Sequence, residues 1–325
     1  MISDVINLSN FHAAFQRVEA SEGMAGVDGV AIREFKQNLE INLRTLAFEI
    51  QKDCYRPLPL LQFKVAKKDG SPRTLAVPVV RDRVAQAAVL NVIEPVLEAE
   101  FEDESFAYRK GRSVKQAAMR IKKLREQGYR YVVEADIDAY FFNINHELLL
   151  DKVGYYISDT HLLKLIRMWV KAEIYDGEKV FILEKGIPQG SVVSPILANL
   201  FLDDFDEALS ERGFKLVRYS DDFIILAKTR SEAEEALEVS ERILAFHYLD
   251  FDEEDTKITE FEKGFKYLGL FFIKDSILVP FDRPQKEKKI LYMPPPFDLE
   301  RYLAGRIRLE RSEIRSNNKN RVGIF

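Results

Sequence analysis

The stretch from Leu216 to Ala227 limits the possible folds most, because it is apolar on both sides of a polar Ser220-Asp221-Asp222 centre. That pattern reads as strand, turn, strand. A second short, β-prone segment, Tyr131 to Asp136, ends on a carboxylate of its own, 85 positions before Asp221. Two strands so distant in sequence can still be neighbours in one sheet, and that would gather Asp136, Asp221 and Asp222. Carboxylates beside strand cores are expensive unless something positive compensates them, and a divalent metal is the natural compensation. Phosphoryl transfer often uses two such ions about 3.5–4 Å apart, one activating the attacking hydroxyl and one stabilising the leaving oxygen. Magnesium suits the task because it prefers a few carboxylates plus substrate phosphates. Alone, Asp-Asp at a hairpin is simply a good turn; its company in the chain decides.

Net charge matters to the choice of partner. At −5, with a pI of about 5.7, it argues against nucleic acid. The charge is segregated, however. Gln51 to Arg83 holds eight Lys/Arg against three Asp, and Ser105 to Arg130 holds nine against one Glu. Ser231 to Glu262 carries twelve acidic residues against two basic ones. Backbone binding needs positive charge along a groove, not a positive sum; ordinary solvated helix faces explain any single stretch equally well. The lone Cys54 excludes an internal disulfide, and the scattered His12, His146, His161 and His247 make no zinc site. No signal peptide or membrane-spanning run is present, so the expectation is a cytoplasmic protein without a membrane partner.

The first fifty residues read as helical, interrupted by Gly23, Gly26 and Gly29. Leu60 to Ala66 and Thr74 to Val80 read as strands joined by a basic Lys67-Lys68-Asp69-Gly70 turn. Helices are expected over Asp82 to Glu100, after a Ser113 cap, over His146 to Tyr156, His161 to Lys171 and Pro195 to Leu209. Ser231 with Glu234 predicts a capping box opening a helix to about Phe246, and Lys266 to Ile273 a further strand. Pro294-Pro295-Pro296 reads as a linker before a basic helix from Phe297 to Arg315. Irregular alternation of strands and helices implies an α+β architecture.

Tyr219-Ser220-Asp221-Asp222 resembles the Y-x-D-D signature of reverse transcriptases. The segment from Asp136 to Ile144 is similar to the first catalytic motif of that family, and Gly186-Ile187-Pro188-Gln189-Gly190-Ser191 to its P-Q-G motif. Thr256-Lys257-Ile258 and Phe265-Lys266-Tyr267-Leu268-Gly269 resemble its later lysine loop and primer grip. Each motif is weak alone, but the ordered set over roughly residues 25 to 275 is specific. Gly26-Val27-Asp28-Gly29, Tyr55 to Pro59, Arg81-Asp82-Arg83 with Gln86, and Tyr108 to Ser113 resemble blocks of the bacterial group II intron lineage.

The resemblance implies a right-hand polymerase fold, with fingers over 1–125, palm over 126–275 and an abbreviated thumb or basic tail over 276–325. It implies RNA-directed DNA synthesis from dNTPs on an RNA template with a DNA or RNA primer, and two Mg2+ ions with Mn2+ as substitute. Asp136, Asp221 and Asp222 would be catalytic, with the Ile137 carbonyl as a further metal ligand. Lys67 and Arg73 would grip the triphosphate, and Arg suits phosphate because its planar fork pairs with two oxygens. Gln189 and Gly190 would shape the nucleotide pocket, and Phe141 would exclude a ribose 2′-hydroxyl or else be a plain core ring. Lys257 would act as general acid toward pyrophosphate, and Leu268 and Gly269 as primer grip. Phe142 and Asn145 depart from the many group II relatives that carry Asp there. The short stretch after the primer grip fits compact enzymes associated with CRISPR adaptation, which copy RNA for an integrase complex. A minimal group II intron enzyme and a non-catalytic RNA-binding scaffold are the alternatives.

Overall fold

The computed structural model describes residues 1–67, 70–279 and 289–308. Lys68 and Asp69 of the basic turn, and the expected C-terminal helix past residue 308, fall outside them. The strands are β1 (Leu60–Ala66), β2 (Pro72–Val77), β3 (Tyr131–Ala135), β4 (Glu173–Tyr175), β5 (Val180–Ile182), β6 (Lys215–Tyr219), β7 (Asp222–Ala227), β8 (Lys257–Glu260), β9 (Phe265–Tyr267), β10 (Leu270–Ile273), β11 (Ser276–Leu278) and β12 (Ile290–Tyr292). They form three sheets: β12-β1-β4-β5 with β2 paired to β1, β11-β10-β9, and β6-β7-β3-β8.

The last of these accounts for the doubly apolar sequence around Ser220. Alternate residues of an antiparallel strand point to opposite faces. Val133, Ala135, Phe223 and Ile225 enter the main core with helices Asp203–Glu211 and Arg230–Phe246. Val132, Val217, Ile224 and Leu226 enter a second core with Ala117 and Ile121 of helix Val114–Glu126 and with Phe265 and Phe272. Each such buried Val, Leu, Ile or Phe side chain stabilises by about 1.5–3 kcal/mol. On the N-terminal side, helix Leu8–Ala20 packs on the long, largely buried helix Val80–Glu98, which contains Pro95.

Several boundaries differ from the sequence reading. The second strand ends at Val77, and Val80, expected in it, begins a helix. Pro78 has no N–H for the ladder; Val80 is buried in the main core as the helix begins, and Val79 is buried against Val27, Leu61 and Tyr175. The helix expected over Pro195 to Leu209 is two, Ser194–Phe201 and Asp203–Glu211, because Asp203, Asp204 and Asp206 form an acidic first turn. The cap of helix Arg230–Phe246 is Thr229, whose hydroxyl accepts from Glu232 N–H, not Ser231. Lys266 to Ile273 is not one strand. Leu268 and Gly269, at φ 50° and 74°, turn it into the β9–β10 hairpin.

Of the segment from 276 onward, β11 extends the β9–β10 sheet, while residues 289–308 return to the first sheet. β12 pairs antiparallel with β1, and Ala66 N–H donates to Lys289 O at 2.9 Å. The Tyr292 hydroxyl donates to Asp176 O at 3.2 Å, the Phe297 ring lies 4.8 Å from that of Tyr175, and Arg306 donates to Pro57 O at 3.1 Å. No described helix is long and apolar enough to cross a membrane.

Candidate active site

Register brings the predicted carboxylates together. β3 pairs with β7 as far as Ala135 opposite Phe223; Asp136 follows Ala135 on one side and Asp222 precedes Phe223 on the other. Tyr219 pairs with Asp222 across the β6–β7 hairpin, leaving Ser220 and Asp221 as a two-residue loop. Ser220 is at φ 68°, at the loop position where such turns favour glycine.

The site is crowded with like charge. Burial, then Asp221 and Asp222, push the Asp136 carboxyl up to about 7, against the opposing pull of the Ile137 N–H. Asp222 reaches solvent, yet desolvation by the surrounding protein, followed by Asp221 and Asp255, raises it to about 6. Among the described residues, the group of three carboxylates close enough to share a cation joins Asp136 to two acids absent from the sequence expectations, and includes neither Asp221 nor Asp222. Asp136, Asp252 and Asp255 each offer a carboxylate oxygen within 4.8 Å of the others. Backbone pairing places them: Ile137 bridges Phe251, Asp252 N–H donates to Asp136 O at 2.9 Å, and Asp138 N–H to Asp250 O at 3.0 Å. An all-oxygen donor set held in mutual repulsion suits a hard divalent cation.

Lys257 is opposite Glu134 on β8, with its Nζ 3.8 Å from the Glu134 carboxylate. Both line a cleft of about 510 Å³ with Asp136, Asp222, Asp255 and Lys266. Leu268 and Gly269 form the turn beside it. The neighbouring Tyr267 hydroxyl donates to Val217 O (2.9 Å) and Asp222 O (3.1 Å), anchoring that hairpin to β6 and β7. The expected roles had passed over this tyrosine.

The other predicted residues gather around the β1–β2 hairpin. Arg73 Nε donates to Gln189 Oε1 at 3.0 Å, and Ala76 N–H to Gln189 O at 2.8 Å. Gly190 is at φ 123°, and a Cβ there would lie 2.7 Å from Ala76 O, so only glycine fits against β2. Gln86 fastens the same loop by accepting from Ser191 Oγ and Val192 N–H. Lys67 closes the hairpin, its N–H donating to Ser71 O. Phe141 is 5% exposed and packs in the main core. Its carbonyl accepts Ile187 N–H at 2.7 Å, tying the segment after Asp136 to the Gln189 loop.

Protein YkfC of Escherichia coli (strain K12) is 31% identical over 283 residues, covering 75% of this chain and 74% of that protein. Group II intron-encoded protein LtrA of Lactococcus lactis subsp. cremoris is 29% identical over 65% of this chain, which spans 35% of that relative. A chain of a Cas6-RT-Cas1--Cas2 complex is 30% identical, covering 75% of this chain and 41% of that one, with a TM-score of 0.47. Apo telomerase from Candida tropicalis shares the fold at a TM-score of 0.54 and 13% identity, covering 88% of this chain and 68% of that one. A right-hand polymerase fold accommodates all three sheets. The family described as reverse transcriptase (RNA-dependent DNA polymerase) matches residues 65–272, and with the carboxylates set by the sheet register, the chain belongs to it.

Proposed function

We propose that this protein extends a primer 3′-hydroxyl with deoxynucleoside triphosphates along an RNA template, using Asp136, Asp221 and Asp222 as its catalytic carboxylates. The observation that supports this is the pairing of β3 with β7, which brings the strand ends next to Asp136 and Asp222 side by side, with Asp221 in the adjoining loop. Magnesium is the cation the donor set favours, with manganese as a substitute, held by Asp136, Asp221, Asp222 and the Ile137 carbonyl, with Asp252 and Asp255 adding negative charge. Two bound divalent cations supply activation of the attacking hydroxyl and stabilisation of the leaving oxygen.

Arg73, already oriented by Gln189, and Lys67 bind the triphosphate. Gly190 lets the loop lie flush on β2 and sets the pocket wall. Phe141 acts from within the core as a packed floor that disfavours a 2′-hydroxyl. Lys257 donates a proton toward pyrophosphate. Leu268 and Gly269 hold the primer end, steadied by Tyr267. In this assignment the fingers span 1–125 and the palm 126–275. The biological partner proposed from the sequence resemblance is a CRISPR integrase complex that stores the copied DNA.

Deoxynucleotide incorporation on an RNA template with a DNA primer and Mg2+ tests the activity. The wild type is expected to extend and the Asp221→Asn/Asp222→Asn variant to be silent. A folded wild type inactive on RNA and DNA templates, even with the genomic-neighbour integrase added, would favour the non-catalytic scaffold.

A further inference from the structure

Arg218 is the largest fully buried side chain among the described residues, at 0% exposure, although its neighbours on the same strand, Leu216 and Val217, are apolar core residues. The alternation of β6 turns it to the same side as Leu216, into the main core, where Asp206 of helix Asp203–Glu211 meets it. Nε donates to Asp206 Oδ1 at 2.7 Å and Nη2 to Oδ2. Nη1 donates to Asn199 Oδ1 at 3.2 Å and to the Ser220 carbonyl at 2.9 Å. Asn199 in turn donates to Ala107 O at 2.7 Å. Burying an ion pair is a poor way to gain stability, because well-packed apolar residues do as well or better. The pair therefore calls for a reason other than stability.

Ser220 supplies one. It holds a left-handed backbone, φ 68°, without being glycine, and its buried Oγ has no hydrogen-bond partner. Nothing in its own side chain favours that conformation. The carbonyl that Arg218 grips belongs to the Ser220–Asp221 peptide, and a planar peptide fixed at one end fixes the direction in which Asp221 leaves the turn. The backbone of Arg218 is itself immobilised, with its N–H donating to Glu104 O and its carbonyl accepting from Phe106 N–H, both at 2.9 Å.

We propose that Arg218, locked in place by Asp206, is a positioning residue that sets the Ser220 turn so that Asp221 and Asp222 converge on Asp136. This rests on the polymerase reading of the same site. Asp206 and Arg218 touch neither substrate nor cation; they act through the turn.

The test uses the full chain, primer extension and thermal unfolding. In Asp206→Val/Arg218→Met the buried pair is replaced by apolar side chains of similar summed volume, so the fold is retained while the grip on Ser220 is lost. Its kcat is expected to fall about tenfold or more and its Mg2+ concentration for half-maximal rate to rise several-fold, with the dNTP KM within about twofold of wild type. Arg218→Lys keeps a charge opposite Asp206 but cannot serve carboxylate and carbonyl together as a planar fork does, so it is expected to fold and show the same two defects. A folded double variant, or a folded lysine variant, with wild-type kcat and Mg2+ dependence would overturn the positioning role. Unfolding of both variants would overturn it too, making the pair a folding element. Absence of incorporation by the wild type would instead sink the polymerase reading and take this role with it.

Discussion

Replacing Gly190 by alanine tests how the proposed nucleotide pocket is held. Two costs follow from the geometry. An alanine forced to φ 123° carries backbone strain of about 1–3 kcal/mol. A Cβ only 2.7 Å from Ala76 O adds an overlap of about 1–3 kcal/mol, since both partners belong to backbone that cannot swing aside. An unfolding entropy of about 2.1 cal/mol/K per residue over 325 residues gives about 0.7 kcal/mol/K. If the loop stays in place, about 2–6 kcal/mol lowers Tm by about 3–9 °C. If it moves away instead, Ala76 N–H and Arg73 both lose Gln189, and the dNTP KM rises about tenfold while Tm changes little. Differential scanning calorimetry and single-nucleotide primer extension distinguish the two routes. Gly128→Ala is the control: φ 92° with nothing within 4 Å of the added Cβ, so about 1–3 kcal/mol of backbone strain without overlap, and unaltered extension, are expected. A Gly190→Ala protein with wild-type Tm and wild-type dNTP KM would refute the reasoning.

The remaining predictions concern the carboxylates and their scaffold. Asp136 and Asp222, raised from 3.8 to about 7 and about 6, keep protons that the unfolded chain has lost, so their contribution to stability declines as pH rises from about 4 through 7. A bound cation reverses that loss; at 100 times its Kd it adds about 2.7 kcal/mol, or about 4 °C, so the Tm gain from Mg2+ should be larger near pH 8 than near pH 5.5, and an equal gain would contradict the site. Asp255→Asn, which keeps shape and removes charge beside Asp136, should raise the Mg2+ requirement about tenfold while leaving the rate at saturating Mg2+ near wild type; metal titration of primer extension reads this directly. Tyr267→Phe strips the shared hydroxyl from the Val217 and Asp222 carbonyls, costing about 1–2 kcal/mol by denaturant unfolding and shortening extension products; a variant as stable and processive as wild type would leave the anchor without function.

The strands that carry Asp136, Asp221 and Asp222 were legible because their signal is local: short apolar runs that end on a carboxylate or a tight turn. Asp252 and Asp255 were not, since a non-periodic segment brings them in by pairing Phe251 with Ile137, and an acid-rich stretch reads as a solvated face. Arg218 was hidden for the opposite reason. An arginine in an apolar hairpin gives no sign that Asp206, twelve residues earlier on another element, will bury it. The β9–β10 turn was missed because Leu268 takes a positive φ that side chains rarely adopt. The reason Gly190 must be glycine was not legible, because the backbone it meets is that of β2, a neighbour only the tertiary fold could name.

The pairing of β12 with β1 also sets an order on folding during synthesis. Val65 must wait for Ile290 before that edge is occupied, and 225 residues separate them. At about 5–20 residues per second the ribosome needs roughly 10–45 s to deliver the missing strand. The β6-β7-β3-β8 sheet closes with β8, which ends at Glu260, so it is complete before β12 exists. The hairpin carrying Lys67 and Arg73 thus emerges early with one edge exposed, a surface on which chains on neighbouring ribosomes can pair. Lys64 on β1 places a charge at that vulnerable margin throughout the interval.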